Sequence, residues 1–273
     1  VQLLPLNHPL RVAGEIATLD HLGAGRFDFG VGRSGSPRAY DALGVPYAES
    51  QERFFEALGI ILQAWKGEPF SHEGTFYRFT NATVTPRPYT SPRPLVRMAA
   101  TTPETFPGVG RMGLPIFVGL RGMNIPELTG HVKTYRQAWR EAGHAGDGDV
   151  CLRIPVYAAP TEKAATEEPH ETITYYFRRQ ADLTRAPIGR AGIPAERRAA
   201  QAARLSSLSY PEILSTKVAF GSASGLVDRL TSLKEELGVS GIAAELNSGG
   251  LMPMAQVMRS LQILTQQVMP AFK

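Results

Sequence analysis

Three stretches carry residue types that could do chemistry, and each closes a segment that reads as a strand. Gly30-Val31-Gly32-Arg33-Ser34-Gly35 has the spacing G-x-G-x-x-G directly after a strand. A dinucleotide fingerprint also needs a helix opening at the third glycine, then a second strand ending in Asp or Glu. Here Ser36-Pro37 and a loop follow, and the acidic residues near the right distance, Glu49 and Glu52, fall in a helix. The dinucleotide reading is therefore set aside. What remains is a strand-end loop whose small neighbours leave Arg33 room to face a ligand; a surface ion pair is its competing role. Ala99-Ala100-Thr101-Thr102-Pro103-Glu104 is the second stretch. Two small residues end a strand, Thr102 is placed to act as N-cap, and Pro103 suits the first helical position. Free N–H groups and two hydroxyls would then stand at the positive end of a helix, ready for an anion. A capped helix with no ligand explains the same pattern. The third stretch, Glu245-Leu246-Asn247-Ser248-Gly249-Gly250, ends the last strand with polar groups and two glycines.

Other chemistries find less support. The six histidines show neither H-x-H nor H-E-x-x-H spacing, and with a single cysteine no zinc site is proposed. Gly32-Arg33-Ser34-Gly35-Ser36 misses the nucleophile elbow G-x-S-x-G at its last position. His8, at the end of the first strand, could reach the strand-end rim, but a lone histidine is more often structural.

The elements that must position these stretches follow from periodicity. Val12, Ile16 and Leu19 mark a helix stopped by Gly23-Ala24-Gly25. Ser50 to Trp65 is a second helix, burying Phe54, Leu58, Ile61 and Trp65. Alternation from Phe70 to Pro88 around Glu73-Gly74 predicts a hairpin. Strands are expected at 26–31, 95–100, 115–120, 151–158 and 241–246, and helices at 103–112, 125–142, 226–237 and 257–268. Strand then helix, repeated six times with strands apolar on both faces, predicts a parallel sheet covered by helices. That pattern suits an open doubly wound sheet or a barrel short of two units. The stretch 161–220 departs from the rhythm. It is long, helical and polar, broken at Pro187, Pro194 and Pro211, and poor in large apolar anchors. It is expected to be a helical insertion in a single domain spanning 1–273, and a candidate lid.

The 273 residues are 43% hydrophobic and 20% charged, an ordinary globular composition. The net charge of +4 is spread along the chain, with no basic run interleaved with aromatics, so nucleic acid is not an expected partner. Cys151, the single cysteine, excludes an intramolecular disulfide and reads as a small buried strand residue. No apolar run approaches a membrane span, and a cytoplasmic protein is expected. Val1-Gln2-Leu3-Leu4-Pro5-Leu6 reads as a strand already under way, so further residues are expected upstream.

In this order the motifs resemble those of the luciferase-like flavin monooxygenases. The likeness rests on Leu4-Pro5-Leu6-Asn7-His8-Pro9-Leu10-Arg11, on Glu15 to Asp20, and on Gly25-Arg26-Phe27-Asp28-Phe29-Gly30-Val31-Gly32-Arg33. Glu49 to Phe54, Gly74 to Pro88, Ala99 to Glu104, Gly113-Leu114-Pro115, Gly221-Ser222, Asn247 to Gly250 and Val268-Met269-Pro270 continue it. It is weakest from Thr166 to Leu208. The resemblance implies an α/β fold, a (β/α)8 TIM barrel of the luciferase-like type whose first two βα units, about 70 residues, precede residue 1. It implies reduced FMN on the C-terminal rim, its phosphate held by Arg33, Ala100, Thr101, Glu104 and Thr105. The implied activity is a two-component, FMNH2-dependent monooxygenation of a small organic substrate through a flavin hydroperoxide. A separate flavin reductase would be a partner, and a homodimer is expected. The acid–base residues of such enzymes lie on the absent early strands, which leaves the catalytic groups unknown. Luciferases proper carry a cysteine where this chain has Gly32, which argues against light emission. A deazaflavin-dependent oxidoreductase and a non-catalytic flavin-binding protein are the alternatives.

Overall fold

The structure, a computed structural model, describes residues 1–33, 37–185 and 195–273. Ser34-Gly35-Ser36 and the expected breaks at Pro187 and Pro194 lie outside the described residues. The chain divides into two compact units, one built from Val1–Ala99 and the other from Ala100–Pro187 with Ala195–Lys273.

In the first unit, β1 (Gln2–Leu3) is followed by α1 (Pro9–Leu22), and β2 (Asp28–Gly32) by α2 (Pro37–Ala42) and α3 (Ser50–Ala64). A hairpin, β3 (Phe70–Glu73) and β4 (Arg78–Ala82), precedes β5 (Leu95–Ala99). Strands β1, β2 and β5 form a parallel set, with Gln2 opposite Val31 and Val31 opposite Met98, while β3 and β4 pair antiparallel as predicted. The stripe on α3 is as the periodicity predicts: Phe54, Leu58, Ile61 and Trp65 are all buried. The stripe on α1 is narrower, because Leu19 is 43% exposed while Asp20 is fully buried. Asp20 tolerates burial because its carboxylate accepts the Thr90 N–H at 2.7 Å and the Thr90 hydroxyl at 2.9 Å.

The hairpin is pinned to α3 by Glu56. Its carboxylate accepts the backbone N–H groups of Phe76 (3.1 Å) and Tyr77 (3.0 Å) and bonds to His72 Nε2 at 3.0 Å. Burial pushes the Glu56 carboxyl up, but the His72 and backbone bonds outweigh it and hold the group below its ordinary value. Glu56→Ala is therefore expected to cost about 2–3 kcal/mol, the range for losing hydrogen bonds to a buried charge. A carboxyl depressed by folding stabilises at neutral pH, and that contribution disappears as pH falls through its folded value. Urea midpoints for parent and variant should thus differ at pH 7 and converge toward pH 3; a constant difference would refute the assignment.

The second unit runs α4 (Thr105–Arg111), β6 (Ile116–Gly119), α5 (Ile125–Glu141) and β7 (Val150–Ala158). Four helices follow: α6 (Glu162–Glu167), α7 (His170–Arg185), α8 (Ala195–Ser206) and α9 (Tyr210–Thr216). The unit closes with β8 (Ala219–Gly221), α10 (Ala223–Leu237), β9 (Gly241–Glu245) and α11 (Met254–Ile263). β7 is buried on both faces except at Arg153, as a central parallel strand should be, and Cys151 lies inside it as expected. It pairs in parallel with β6 (Ile116 opposite Val150), with β9 (Cys151 opposite Gly241) and with β8 (Val156 opposite Ala219). β8 is a strand that periodicity did not reveal.

Helices α6–α9 occupy the stretch read as an insertion, but the expected shortage of apolar anchors is not found. Ile173, Phe177 and Ala181, four residues apart on α7, pack with Leu205, Ile213 and Val218 into a buried cluster. Their spacing of four puts them on one helix face, and Arg178 and Arg179 between them are exposed.

Candidate functional site

In a parallel α/β fold, ligands sit beyond the C-terminal ends of the strands. In the first unit that end is marked by Arg33, directly after β2. Arg33 is exposed, and its guanidinium donates to the buried Ser50 hydroxyl at 3.2 Å at the start of α3. Its backbone carbonyl accepts the Tyr40 hydroxyl. Gly32 packs tightly: a Cβ there would come 2.8 Å from the Val1 side chain. His8 is exposed at the start of α1, with its ring edge-on to Tyr77 at 5.5 Å.

The Ala100–Thr105 turn opens the second unit, and it differs from the sequence expectation. The helix begins at Thr105, not Pro103, and Thr102 is not its N-cap. The Thr102 hydroxyl bonds instead to the Thr105 hydroxyl at 3.0 Å, and the Thr105 N–H closes a turn on the Thr102 carbonyl at 3.0 Å. Those bonds spend the groups that would otherwise have capped a longer helix. Ala100 is buried and its N–H donates to the Phe117 carbonyl at 2.9 Å, so its amide is already used. Thr101 is exposed, and the N–H groups of Thr101 and Thr102 have no backbone partner among the described residues. Glu104 is exposed, 3.7 Å from Arg197 of α8. Its own N–H, then the Thr102 hydroxyl, then Arg197 hold its carboxyl below the ordinary value.

The loop after β9 is docked on α7. Thr172 Oγ1 donates to the Ser248 carbonyl at 2.9 Å and accepts the Leu251 N–H at 3.2 Å. Gly249 has φ +101°, and a Cβ there would fall 2.2 Å from the Thr172 carbonyl oxygen. Glu245 is ion-paired with Arg153 of β7. The pairing is set by register, because Glu245 faces Pro155 and Arg153 lies two residues away on the same face. Beside this loop is a cavity of about 10 Å³, room for one water molecule, between Tyr157, Phe220, Ser248 and Met252. The Ser248 hydroxyl at its wall is buried and has no hydrogen-bond partner among the described residues.

Sequence reasoning missed the network behind that wall. The Tyr157 hydroxyl donates to the Glu168 carboxylate, and Arg259 of α11 donates to both. Burial first, and the Glu168 bond next, push the Tyr157 phenol up to about 12, so it stays protonated and orients rather than titrates. Nothing local marks these residues, since Tyr157 and Arg259 lie 102 positions apart. A larger recess, about 270 Å³, lies in the first unit between α3 and the hairpin, around Phe55, Glu56 and His72. It is lined by α3 and by β3 of the hairpin rather than by a C-terminal end of the parallel strands, and Glu56 is committed to the hairpin. Among the described residues no group of three His, Cys, Asp or Glu side chains could hold a metal, and no helix is long and apolar enough to cross a membrane.

The sequence model of the luciferase-like monooxygenases matches residues 1–241. The chain is 25% identical over 279 aligned residues to the oxygenase component of the flavin-dependent trigonelline monooxygenase of Acinetobacter baylyi, covering 98% of this chain and 74% of that protein. Among solved structures, it superposes on the oxygenating constituent of 3,6-diketocamphane monooxygenase from Pseudomonas putida, a type II Baeyer-Villiger enzyme in complex with FMN. That match has a TM-score of 0.78 at 22% identity, over 99% of this chain and 78% of the other. The coenzyme F420-dependent tetrahydromethanopterin reductase of Methanopyrus kandleri matches at 0.70 and 20% identity, over 98% of this chain and 80% of that one. These likenesses establish the fold as that of the luciferase-like TIM barrels.

Proposed function

The chain belongs to the luciferase-like monooxygenase family, and from that premise we propose that it is the oxygenase of a two-component system. In this reading a separate flavin reductase supplies reduced FMN, and a small organic molecule is the substrate. Reduced FMN supplies the electrons that take one atom of O2 to water while the other enters the substrate. The observation that carries the reading is the family match over 1–241, together with a relative named as an oxygenase component.

The second unit's own residues fit a phosphate monoester. The Ala100–Thr105 turn offers the exposed Thr101 and the N–H groups of Thr101 and Thr102, which have no backbone partner among the described residues. The small, buried Ala100 leaves the strand end open to a flat or bulky group. Glu104 is an acid beside an expected anion, and Arg197 offsets its charge. Of Ala100, Thr101, Glu104 and Thr105, the residues we assign to the phosphate in this unit, Thr101 is the donor, Ala100 contributes its small size, and Glu104 and Thr105 shape the turn. Arg33 is the cation we assign to it in the first unit.

Arg33→Ala is expected to weaken FMN binding by about 1.5–3 kcal/mol, roughly 10- to 150-fold in Kd, the range for a charge-assisted hydrogen bond. Riboflavin, which has no phosphate, should bind parent and variant alike. Equal loss for both flavins would remove Arg33 from the phosphate role. The reaction itself is tested by mixing FMNH2, prepared anaerobically, with O2 and the protein, with candidate substrates present or absent, and assaying oxygenated product and H2O2. Oxygenated product formed at the expense of H2O2 supports the monooxygenase. The likeness to the F420-dependent reductase favours one second reading, a deazaflavin hydride-transfer enzyme. Tighter binding of the deazaflavin than of FMN, without oxygenated product, would select it.

A further inference from the structure

Lys217 is 5% exposed, although it carries an ammonium group. Its Nζ donates to the Leu120 carbonyl at 2.9 Å and to the Met123 carbonyl at 2.7 Å. Those two carbonyls bracket the loop that leaves the C-terminal end of β6 and leads into α5. Residues 120–123 are a run of bends, and outside the sheet ladder no backbone hydrogen bond among the described residues holds them. The lysine therefore satisfies acceptors that the backbone leaves open.

The same loop is gripped from a second direction. Gly122 lies against α8, where a Cβ would come 2.7 Å from Gln201 Nε2. Three residues further along α8, Arg204 meets Glu127 of α5 with two bonds of 3.1 Å. The loop is thus held between a buried cation and a helix that is itself tied down at Glu127. Glu127 from α5 and Arg204 from α8 are the charged groups that face Lys217.

Burying an ammonium is costly, and an apolar side chain of similar volume often serves stability better. Consistent with that cost, desolvation first and Arg204 next lower the Lys217 pKa to about 8, against the opposing pull of Glu127. A lysine that binds its proton more weakly folded than unfolded subtracts from stability at neutral pH. Stability should then rise as pH increases from about 8 toward the ordinary lysine value. The charge is not explained by what it adds to the fold; what it holds explains it.

We infer that Lys217 is a positioning residue, whose ammonium fixes the loop 120–124 at the ligand-facing end of β6 and, through that loop, the seat of α8. The inference rests on this geometry and on the fold, and it holds whichever flavin binds.

Hydrogen exchange read by mass spectrometry on the parent chain, Lys217→Met and Lys217→Arg tests it, with limited trypsin cleavage in α8 alongside. In Lys217→Met at pH 7 the Asn124 amide, the loop amide bonded to Glu127, should exchange roughly tenfold faster, the loss of one charge-assisted hydrogen bond. Cleavage after Arg197, Arg198 and Arg204 should rise in parallel, and Lys217→Arg should restore both. In the parent, loop protection corrected for intrinsic rates should fall between pH 7 and pH 9.5, because a neutral amine makes weaker bonds than an ammonium. Over the same range its urea midpoint should gain an increment that Lys217→Met lacks. Loop protection unchanged in a folded Lys217→Met overturns the inference. So does loop protection that moves with pH in the same direction as the urea midpoint, a comparison available even if Lys217→Met fails to fold.

Discussion

Replacing Gly249 with valine is expected to lower the stability of the chain by about 2–5 kcal/mol. Two separate effects add. At φ +101° an L-residue pays about 1–2 kcal/mol of backbone strain that glycine avoids. A Cβ would also fall 2.2 Å from the Thr172 carbonyl oxygen and 2.7 Å from its hydroxyl, and a side chain forced into packed structure costs about 1–3 kcal/mol more. The obstacle is mainly backbone of α7, so no rotamer change relieves it, and the loop after β9 must leave its dock on Thr172. Gly250→Ala separates the terms. Its φ is +78° but, its chain neighbours aside, no atom of the described residues lies within 4 Å of its Cβ position, so only the strain, about 1 kcal/mol, should appear. Thermal melts of the two variants check this; near-equal losses would show that the loop is not held against α7.

Gly110→Val should be the second large loss, about 3–4 kcal/mol, or several degrees to ~10 °C in melting temperature for a chain of this size. Gly110 is where α4 crosses α5. A Cβ there would sit 2.4 Å from the Tyr135 carbonyl oxygen and 3.1 Å from both Ala138 Cβ and Trp139 N. The helices would have to separate, and α4 would carry the Ala100–Thr105 turn with it, so on the phosphate role proposed for that turn FMN affinity should fall together with stability. Gly108, in the same helix, has no atom of the described residues outside its own helix backbone and chain neighbours within 4 Å of its Cβ position. Gly108→Ala should therefore be neutral or stabilising by up to about 1 kcal/mol through helix propensity alone. If Gly110→Val melts like Gly108→Ala, the close crossing of α4 and α5 is wrong.

Much of this protein was legible from local pattern. The stripe Phe54, Leu58, Ile61, Trp65 and the stripe Leu226, Leu230, Leu233, Leu237 are both buried as their spacing requires. The run Cys151 to Ala158 is a strand buried on both faces because it has neighbours on both edges and layers on both sides. The ordered motifs from Leu4 to Pro270 identified the family before any distance was known. These signals survive in sequence because helix and strand periods act over a few residues at a time.

What the sequence left undecided depends on partners far along the chain. Thr102 reads as a helix cap until the structure turns its hydroxyl onto Thr105. Strand β8 is three residues long and too short to show a period, so it exists only because β7 extends far enough to pair with it. Leu19 keeps its helical spacing but meets no layer, while Asp20 is buried because Thr90, 70 residues later, supplies two donors. Lys217 looks like any surface lysine until the fold brings it to carbonyls 94 and 97 residues away. Local propensity determined which elements form. Burial and register, which join residues distant in sequence, decided which polar groups stand at the strand ends and what holds them there.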